Sequence, residues 1–309
     1  MTAVSPLTRP RRLREGDRVA VVSPSGPVPQ DRLDAGCEIL RRWGLDVTLA
    51  PHVTDVHAGL GYLAGADEDR AADLQEAWLD PSVAGVLCAR GGYGVQRMVD
   101  LLDWSSMRAA TPKIFCGYSD ITALHEAFAT QLGVVTLHAP MVGAWSFIED
   151  GRTAERLRDT LFEPESTLAL TSPTAETLVP GVAHGVTLGG CLCLLAADVG
   201  APTARAGAAG GIVLLEDLEE DRYRLDRMFT QLLRAGWFEG CAGIALGSWL
   251  DCEVGVRDLA LDRLGGLGVP IVWELGFGHC ASTLTVPLGV PATLDADAGT
   301  LTLDAPALT

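Results

Sequence analysis

Ser119 is the residue of this chain with the clearest potential for nucleophilic chemistry. It lies in the segment Lys113–Phe128, which starts with a short apolar run and continues with an amphipathic pattern. Ile114 and Phe115 favour a strand, and Gly117 permits a tight turn. We therefore predict a strand, a turn that carries Ser119, and a helix whose first-turn amides are free to bind an anion. A serine that only caps the helix fits the same pattern.

A serine nucleophile needs a general base, and the six histidines of the chain are the candidates. His125 lies six residues after Ser119 on the predicted helix, so we expect its ring to point away from the turn. His279 follows Gly276 and Gly278 in a loop after a predicted strand, which exposes its imidazole. His138 is the second contender, and a structural role fits any single histidine.

Glu216 is a good candidate for the carboxylate that would orient such a base. It follows the apolar run Ile212–Leu215, which we predict to be a strand. The strand would deliver the carboxylate to its carboxyl end, where α/β domains collect functional groups. The acidic residues between 217 and 221 fit a solvated loop and a helix start.

The loop Arg90-Gly-Gly-Tyr-Gly94 is a candidate for contacts with substrate. It lacks the Lys-Ser/Thr ending of a P-loop and the spacing of a dinucleotide-binding loop. Its glycines would let backbone amides approach an oxyanion or carboxylate, and Arg90 would pair bidentately with a carboxylate. Arg90 and Tyr93 are therefore candidate substrate-binding residues, while a glycine-rich turn with a surface arginine is the structural alternative.

These residues need a scaffold that brings several strand ends together. The first half of the chain alternates predicted strands at 18–22, 46–50 and 83–88 with predicted helices at 31–43 and 67–79. This alternation is typical of an α/β fold with a parallel sheet, in which ligands bind outside the carboxyl ends of the strands.

A second region follows a charged helix and a Ser/Thr/Pro-rich passage. We predict an N-terminal α/β domain over 1–160, a linker over 161–181, and a smaller C-terminal α/β domain, rich in β structure, over 182–309. The C-terminal region contains predicted strands at 211–216, 241–246 and 270–273, and a hairpin formed by 293–296 and 300–304.

The composition excludes several classes of partner. The 309 residues carry a formal net charge of −17, which argues against nucleic acid or an anionic membrane. An anionic substrate would need a locally basic pocket. Since no early apolar run has the length of a signal peptide, we expect a cytoplasmic protein. Its eight cysteines form no CxxC pair, so we expect reduced thiols rather than disulfides or zinc ligands.

Taken together, the segments resemble the LD-carboxypeptidase family of serine peptidases, which includes muramoyltetrapeptide carboxypeptidases and microcin C immunity peptidases. The resemblance covers most of the chain, and the order and spacing of its motifs are specific. These motifs are Val22-Ser-Pro-Ser-Gly26, Leu63-Ala-Gly65 with Asp69-Arg-Ala71, Arg90-Gly-Gly-Tyr-Gly94, Gly117-Tyr-Ser-Asp-Ile-Thr122, Leu215-Glu-Asp217 with Tyr223-Arg-Leu-Asp-Arg227, and Gly276-Phe-Gly-His279 with Leu284-Thr-Val-Pro-Leu-Gly289.

The resemblance implies a catalytic role for each of the three candidates. Ser119 would be the nucleophile, His279 the general base and Glu216 the carboxylate that orients it. The backbone amides of Gly92 and Asp120 would form the oxyanion hole. It also implies that no metal or cofactor is needed, and that the protein forms a homodimer.

Two departures limit the comparison. Ile121 stands where the Gly-x-Ser-x-Gly pattern of α/β-hydrolases has its last glycine, so that fold is disfavoured. Cys191 follows Gly189 and Gly190 where the family commonly has asparagine, which affects the polar contacts of that loop.

Three functions remain open at this point. The first is a carboxypeptidase that removes the terminal D-residue from an L,D-linked muropeptide, a step of peptidoglycan recycling. The alternative is an immunity-type peptidase that cleaves peptidyl or aminoacyl nucleotide amides, for which Trp145 is a candidate to stack on the base. A non-catalytic muropeptide-binding protein ranks below both, because all three catalytic positions are filled.

Overall fold

The computed structural model describes residues 3–309 as two β-sheets with helices packed against them. The strands are β1 (Arg18–Val22), β2 (Asp46–Leu49), β3 (Val83–Cys88), β4 (Ile114–Gly117), β5 (Thr136–His138), β6 (Ala169–Thr171), β7 (Glu176–Val179), β8 (Val182–Cys191), β9 (Gly211–Leu218), β10 (Gly243–Leu250), β11 (Ile271–Trp273), β12 (Val286–Leu288), β13 (Pro291–Asp295) and β14 (Thr300–Leu303). The helices are α1 (Gln30–Arg42), α2 (Asp67–Leu79), α3 (Val95–Met98), α4 (Trp104–Ala109), α5 (Thr122–Ala127), α6 (Trp145–Glu149), α7 (Gly151–Phe162), α8 (Leu192–Ala197), α9 (Arg222–Arg234) and α10 (Val256–Leu264). Within residues 3–309, no helix is both long enough and apolar enough to cross a bilayer.

The first sheet has the strand order β12-β5-β4-β3-β1-β2. Strands β1 to β5 run parallel, and β12 joins the edge antiparallel to β5. Apolar cores cover both faces, one built with α1 and α7 and the other with α2 and α5. Strands buried on both faces are continuous apolar runs, which is why β1 and β3 have the bounds predicted from the sequence.

The second sheet has the order β6-β14-β13-β8-β9-β10-β11-β7. Its central strands β8 to β11 are parallel, and the outer strands pair antiparallel. Helices α8, α9 and α10 pack on one face through residues such as Leu225, Phe229 and Leu232. The predicted α/β class, with a C-terminal half rich in β structure, is confirmed.

Two features of the topology were not expected. The passage 161–181, predicted to be a linker, contains β6 and β7, which form opposite edges of the second sheet. These strands have only three and four residues, too few for a recognisable alternation. Strand β12, from the C-terminal half, belongs to the first sheet. The domain bounds at 160 and 182 remain a prediction.

The carboxyl ends of the central strands meet between the two sheets. Strand β4 ends at Gly117, β5 ends at His138, and β9 ends two residues after Glu216. A hydrogen bond of 3.0 Å from the Cys191 amide to Thr122 Oγ1 joins the second sheet to the helix that follows Ser119. The candidate residues of three strand ends therefore face a common space.

Candidate active site

Ser119 occupies the turn that the sequence predicted. Strand β4 ends at Gly117, Tyr118 is extended, and a one-turn 3₁₀ helix over Ser119–Ile121 leads into α5. The φ angle of Ser119 is 65°, in the left-handed region that non-glycine residues rarely adopt. Such backbone strain persists only where the surroundings enforce it, and it is concentrated at functional sites.

Gly91 lies against the Ser119 side chain. A Cβ atom on Gly91 would be 3.0 Å from Ser119 Cβ and 3.2 Å from its Oγ. Only glycine therefore allows the loop to approach the serine this closely. Both residues line a cavity of about 750 Å³.

The Asp120 side chain fixes the turn from behind. Its Oδ2 accepts hydrogen bonds from Ser25 Oγ at 2.6 Å and from the Val95 amide at 2.9 Å. Burial raises the pKa of Asp120 to about 6, although both hydrogen bonds favour the ionised form. One carboxylate thus ties together the loops after β1, β3 and β4. The sequence indicated only the Asp120 backbone, although Ser25 lies in a motif of the resemblance.

Glu216 and His279 form a direct hydrogen bond. His279 Nδ1 lies 2.6 Å from Glu216 Oε2, and the His279 amide donates to the same oxygen at 3.2 Å. Glu216 is fully buried, and a Cβ atom on Gly278 would be 2.5 Å from Oε2. Glycine before His279 is what lets the loop reach the carboxylate. Since Nδ1 is engaged, Nε2 is the nitrogen available for proton transfer.

Electrostatics favour a charged Glu216. Burial alone would raise the pKa of this carboxyl, but His279 and His138 outweigh it and lower the pKa to about 2. Burial likewise opposes charge on His279, yet the carboxylate outweighs burial and raises the pKa of the imidazole above its ordinary value. The pair can therefore accept a proton on His279 and stabilise it there.

The cavity brings together most of the residues predicted for the site. Ser119, His279, Gly92 and Arg90 all line it. Arg90 is exposed and donates one hydrogen bond of 3.2 Å, to the Pro27 carbonyl.

Tyr93 is not among the residues that line this cavity. Its ring packs against Tyr62 at 5.9 Å and stays 46% exposed. The flanking Gly92 and Gly94 have φ angles of 115° and 138°, which turn the chain so that Tyr93 projects elsewhere.

The two amides predicted for the oxyanion hole belong to Gly92, which lines the same cavity as Ser119, and to Asp120, the residue after Ser119. The Gly92 amide donates no hydrogen bond to the described part of the chain. Asp120 is the second residue of a helical turn, a position whose amide has no intrahelical acceptor. Both N–H groups are therefore free to bind a developing oxyanion.

The residues that line the cavity include several that the sequence did not assign to the catalytic site. The Arg32 side chain forms no hydrogen bond or salt bridge within residues 3–309, and the cavity is lined by two cations, Arg32 and Arg90, and by two acidic residues, Glu219 and Glu220. Trp145 also lines the cavity and is 57% exposed. Arg32 is a surface position of α1 with no sequence signal, because only the tertiary fold brings it near Arg90.

The remaining histidines of the region differ in their contacts. His125 contacts Thr136 Oγ1 and the Gly117 carbonyl, each at 2.9 Å. Burial and the nearby His138 lower the pKa of His125 to about 3, so it is a neutral structural residue. Its ring reaches the Gly117 carbonyl, two residues before Ser119, and His125 does not line the cavity. His138 Nε2 lies 3.7 Å from Glu216 Oε1.

Two groups of side chains in residues 3–309 have the spacing of metal ligands. One contains Cys191, Cys193 and Asp217, and the other is formed by His52, Asp55 and Asp69. Asp217 accepts a hydrogen bond of 2.8 Å from the Cys193 amide, which gives it a structural role at the start of α8. Neither group includes Ser119 or His279, and Cys191 does not line the cavity.

Comparison with known proteins identifies the family. The LD-carboxypeptidase N-terminal domain matches residues 19–139, and the LD-carboxypeptidase C-terminal domain matches residues 184–294. The chain belongs to the LD-carboxypeptidase family. It is 64% identical to a predicted carboxypeptidase of Streptomyces coelicolor, over 98% of each chain. It is 32% identical to the murein tetrapeptide carboxypeptidase of Pseudomonas aeruginosa, over 90% of this chain and 93% of that one.

Solved structures of this family share the fold. The muramoyltetrapeptide carboxypeptidase of Oxalobacter formigenes is 28% identical, with a TM-score of 0.77 over 94% of this chain and 99% of that one. The microcin C7 self-immunity protein in complex with aspartyl sulfamoyl adenosine is 22% identical, with a TM-score of 0.85 over 98% of this chain and 100% of that one. The two family matches and the murein peptide carboxypeptidases among the relatives show that this protein is a carboxypeptidase, and a peptide is its substrate.

Proposed function

We propose that this carboxypeptidase hydrolyses the L,D-peptide bond that releases the terminal D-amino acid of a muropeptide. Ser119 is the nucleophile, His279 the general base and Glu216 the orienting carboxylate. The observation that carries the proposal is the 2.6 Å bond between Glu216 and His279, at a cavity that Ser119 also lines. The murein tetrapeptide carboxypeptidase among its relatives supports this choice of substrate.

In this mechanism, His279 Nε2 takes the proton of Ser119 as Oγ attacks the scissile carbonyl. The amides of Gly92 and Asp120 stabilise the tetrahedral oxyanion. Collapse breaks the C–N bond, and His279 returns the proton to the departing D-amino acid. Water, deprotonated by His279, then hydrolyses the acyl-enzyme and regenerates Ser119.

Two arginines that line the cavity suit the free carboxylate of the substrate. Arg90 carries a planar guanidinium that binds a carboxylate bidentately, and Arg32 adds a second positive charge. In a chain of net charge −17, and with Glu219 and Glu220 at the same cavity, these two cations are the groups that can attract the carboxylate of an anionic peptide.

Three further parts of the proposal rest on the family resemblance and the composition. The reaction serves peptidoglycan recycling, it takes place in the cytoplasm, and the protein is a homodimer. Light scattering after gel filtration measures the assembly directly. A mass near 32.6 kDa, that of one chain, would exclude the dimer.

The decisive assay uses purified protein and its Ser119→Ala variant. Each is incubated with the tetrapeptide L-Ala-D-Glu-meso-diaminopimelate-D-Ala, and free D-alanine is followed by mass spectrometry. Release by the wild type alone is the expected result. No release by a folded wild-type protein would contradict the muropeptide substrate.

One observation favours a second candidate, an immunity-type peptidase that cleaves aminoacyl or peptidyl nucleotide amides. Trp145 is 57% exposed at the cavity, where its ring is available to stack on a base. If nucleotide amides are the substrate, Trp145→Ala will slow their cleavage and leave cleavage of the tetrapeptide unchanged.

A third candidate is a muropeptide-binding protein without activity. A fluorophosphonate separates it from both enzymes, because it labels only an activated serine. The carboxypeptidase mechanism predicts labelling of Ser119 that is lost in His279→Ala. A folded wild-type protein that fails to label would favour the binding protein.

A further inference from the structure

Glu216 has one oxygen without a hydrogen-bond donor. Its Oε2 accepts from the side chain and the amide of His279, whereas Oε1 is buried and accepts no hydrogen bond. A potential donor, His138 Nε2, lies 3.7 Å from Oε1, beyond hydrogen-bond distance. A buried carboxylate oxygen without a donor costs free energy, so this arrangement calls for a partner.

His138 has the complementary deficit. Its ring is buried, and neither Nδ1 nor Nε2 has a hydrogen-bond partner in residues 3–309. A neutral imidazole must carry one N–H, which is costly to bury unpaired. An approach of about 0.8 Å by the two side chains would give the usual N–H···O length of about 2.9 Å. One small movement would give Glu216 Oε1 a donor and His138 Nε2 an acceptor.

Among the groups around the His138 ring, Glu216 is the acceptor available for its N–H. The rings of Tyr118, Phe277 and His125 lie 5.7, 5.7 and 6.3 Å from the His138 ring. His125 is already bonded on both nitrogens. On the Glu216 side, the ionisable neighbours besides the two histidines include Asp217, Tyr118, Cys191 and Cys280, and none of these four donates a hydrogen bond to Oε1 within residues 3–309. Asp217 repels the carboxylate.

The contact also links the two sheets. His138 is the last residue of β5 in the first sheet and pairs in register with Gly117, two residues before Ser119. Glu216 lies on β9 in the second sheet. A bond between them would set the position of the Glu216–His279 pair relative to the turn that carries Ser119.

We propose that His138 is a positioning residue for the reaction, which donates its Nε2–H to Glu216 Oε1 while His279 binds Oε2. The inference rests on the proposed roles of Ser119, His279 and Glu216. It adds a second histidine on the carboxylate, whose function is to hold that group ionised and correctly oriented.

Two variants of similar size distinguish the effect of the His138 hydrogen-bond donor from the effect of its side-chain packing. In His138→Gln the side-chain amide can place a donor where Nε2 stands, whereas His138→Met fills the space without a donor. We expect His138→Met to lower kcat for D-alanine release at least about tenfold with little change in KM, since the interaction orients the base and does not bind substrate. We expect His138→Gln to stay within about threefold of the wild type.

The pH profile gives a readout that a packing role would not move. Without the His138 donor, the Glu216 carboxylate is less stabilised and attracts the proton on His279 more strongly. The pKa of His279 therefore rises. The acid limb of kcat/KM should therefore move to higher pH in His138→Met and stay in place in His138→Gln. His125→Gln is the control, because it removes a buried structural histidine that does not touch Glu216 and should lower only the melting temperature.

The rate of Ser119 labelling by a fluorophosphonate is measured in parallel, because it does not depend on the substrate. Equal activity in all variants, or equal loss in His138→Gln and His138→Met, would overturn the role of the donor. Labelling that depends on the His138 donor, without D-alanine release, would support this inference and refute the muropeptide substrate. A wild-type Ser119 that does not label would overturn both.

Discussion

At Glu216, burial and neighbouring charge act in opposite directions, and charge prevails. The carboxylate remains ionised inside the protein and raises the pKa of His279. In the proposed mechanism His279 must be neutral to accept a proton, so activity should fall as the pH drops through this raised pKa, above the ordinary value of about 6.5 for histidine. The pH dependence would then be set by Glu216, whose side chain is fully buried.

Replacement of Glu216 by Gln tests this directly. The neutral amide no longer stabilises the imidazolium, so the pKa of His279 falls and the acid limb of kcat/KM moves to lower pH. Loss of the orienting charge should also reduce kcat by about 10²–10⁴-fold. Steady-state kinetics between pH 5 and 8 measure both effects.

Glu219→Gln serves as the control, since Glu219 is exposed and acts on His279 only at longer range. Its acid limb should shift in the same direction but less. An unchanged limb in Glu216→Gln would refute the assignment of Glu216 to the base.

Gly91 leaves free the space beside Ser119 that any larger residue at this position would occupy. In Gly91→Ala the new methyl carbon would lie 3.0 Å from Ser119 Cβ, tighter than ordinary van der Waals contact. The serine must yield by a few tenths of an ångström, so we expect kcat to fall about tenfold or more while the melting temperature changes little. Gly61→Ala, which meets open space, is the matched control. A variant with full activity would show that the position of Ser119 tolerates this shift.

Among the elements, the loops after β1, β3 and β4 share one buried anchor, Asp120. Its pKa is about 6 in the folded protein, against an ordinary 3.8. The folded state thus binds the proton more tightly, and the wild type loses stability as pH rises from about 4 through 6. Asp120→Asn does not titrate, so its melting temperature minus that of the wild type should increase between pH 4 and 7.

Asp103 provides a control of opposite sign. Hydrogen bonds from Ser106 and from the Ser105 amide lower its pKa, so the Asp103 carboxylate favours folding once it is ionised. The melting temperature of Asp103→Asn minus that of the wild type should decrease as the pH rises to about 4, near the ordinary Asp value, and change little from there to pH 7. If the two differences follow the same course, the pKa of Asp120 is not raised.

Elements with strong local patterns were predictable, and those defined by distant partners were not. The apolar strands β1 and β3 and the helix α2 have the bounds predicted from the sequence. The turn at Ser119 was predictable because Gly117 and the apolar period of α5 are local signals. Strands β6, β7 and β12 have three or four residues each and exist because a neighbouring strand accepts them.

The site itself divides in the same way. Ser119 and Glu216 follow strands that the sequence indicates, so their positions could be inferred from pattern. The resemblance, not the spacing, selected His279 over His138. Packing between elements far apart in the chain brings His138 near Glu216 and places Arg32 at the cavity. Local sequence patterns do not predict such contacts.

For the whole molecule, the C-terminal half of the chain contributes a strand and core residues to the first sheet. Strand β12 completes the edge of the first sheet, and Leu308 lies in the core beneath α1 and α7. At the other end of the chain, the Leu7 amide donates to the Gly289 carbonyl at 2.9 Å. The first sheet and its core are incomplete without β12 and Leu308 from the C-terminal half, so the site between the two sheets should form only when the entire chain is folded.

We therefore predict a single cooperative unfolding transition that Leu308→Ala shifts as a whole. Truncation of a buried leucine costs about 2–5 kcal/mol, and a chain of this size loses about 2–4 °C in melting temperature per kcal/mol. Calorimetry, tryptophan fluorescence and loss of activity should report the same midpoint in the wild type and the same downward shift in the variant. Leu261→Ala, at a 41% exposed position of α10, should change the midpoint little. Two separate transitions, with only the earlier one moved by Leu308→Ala, would mean that the halves divided near 160 and 182 fold independently, and that the site is assembled by docking rather than by folding.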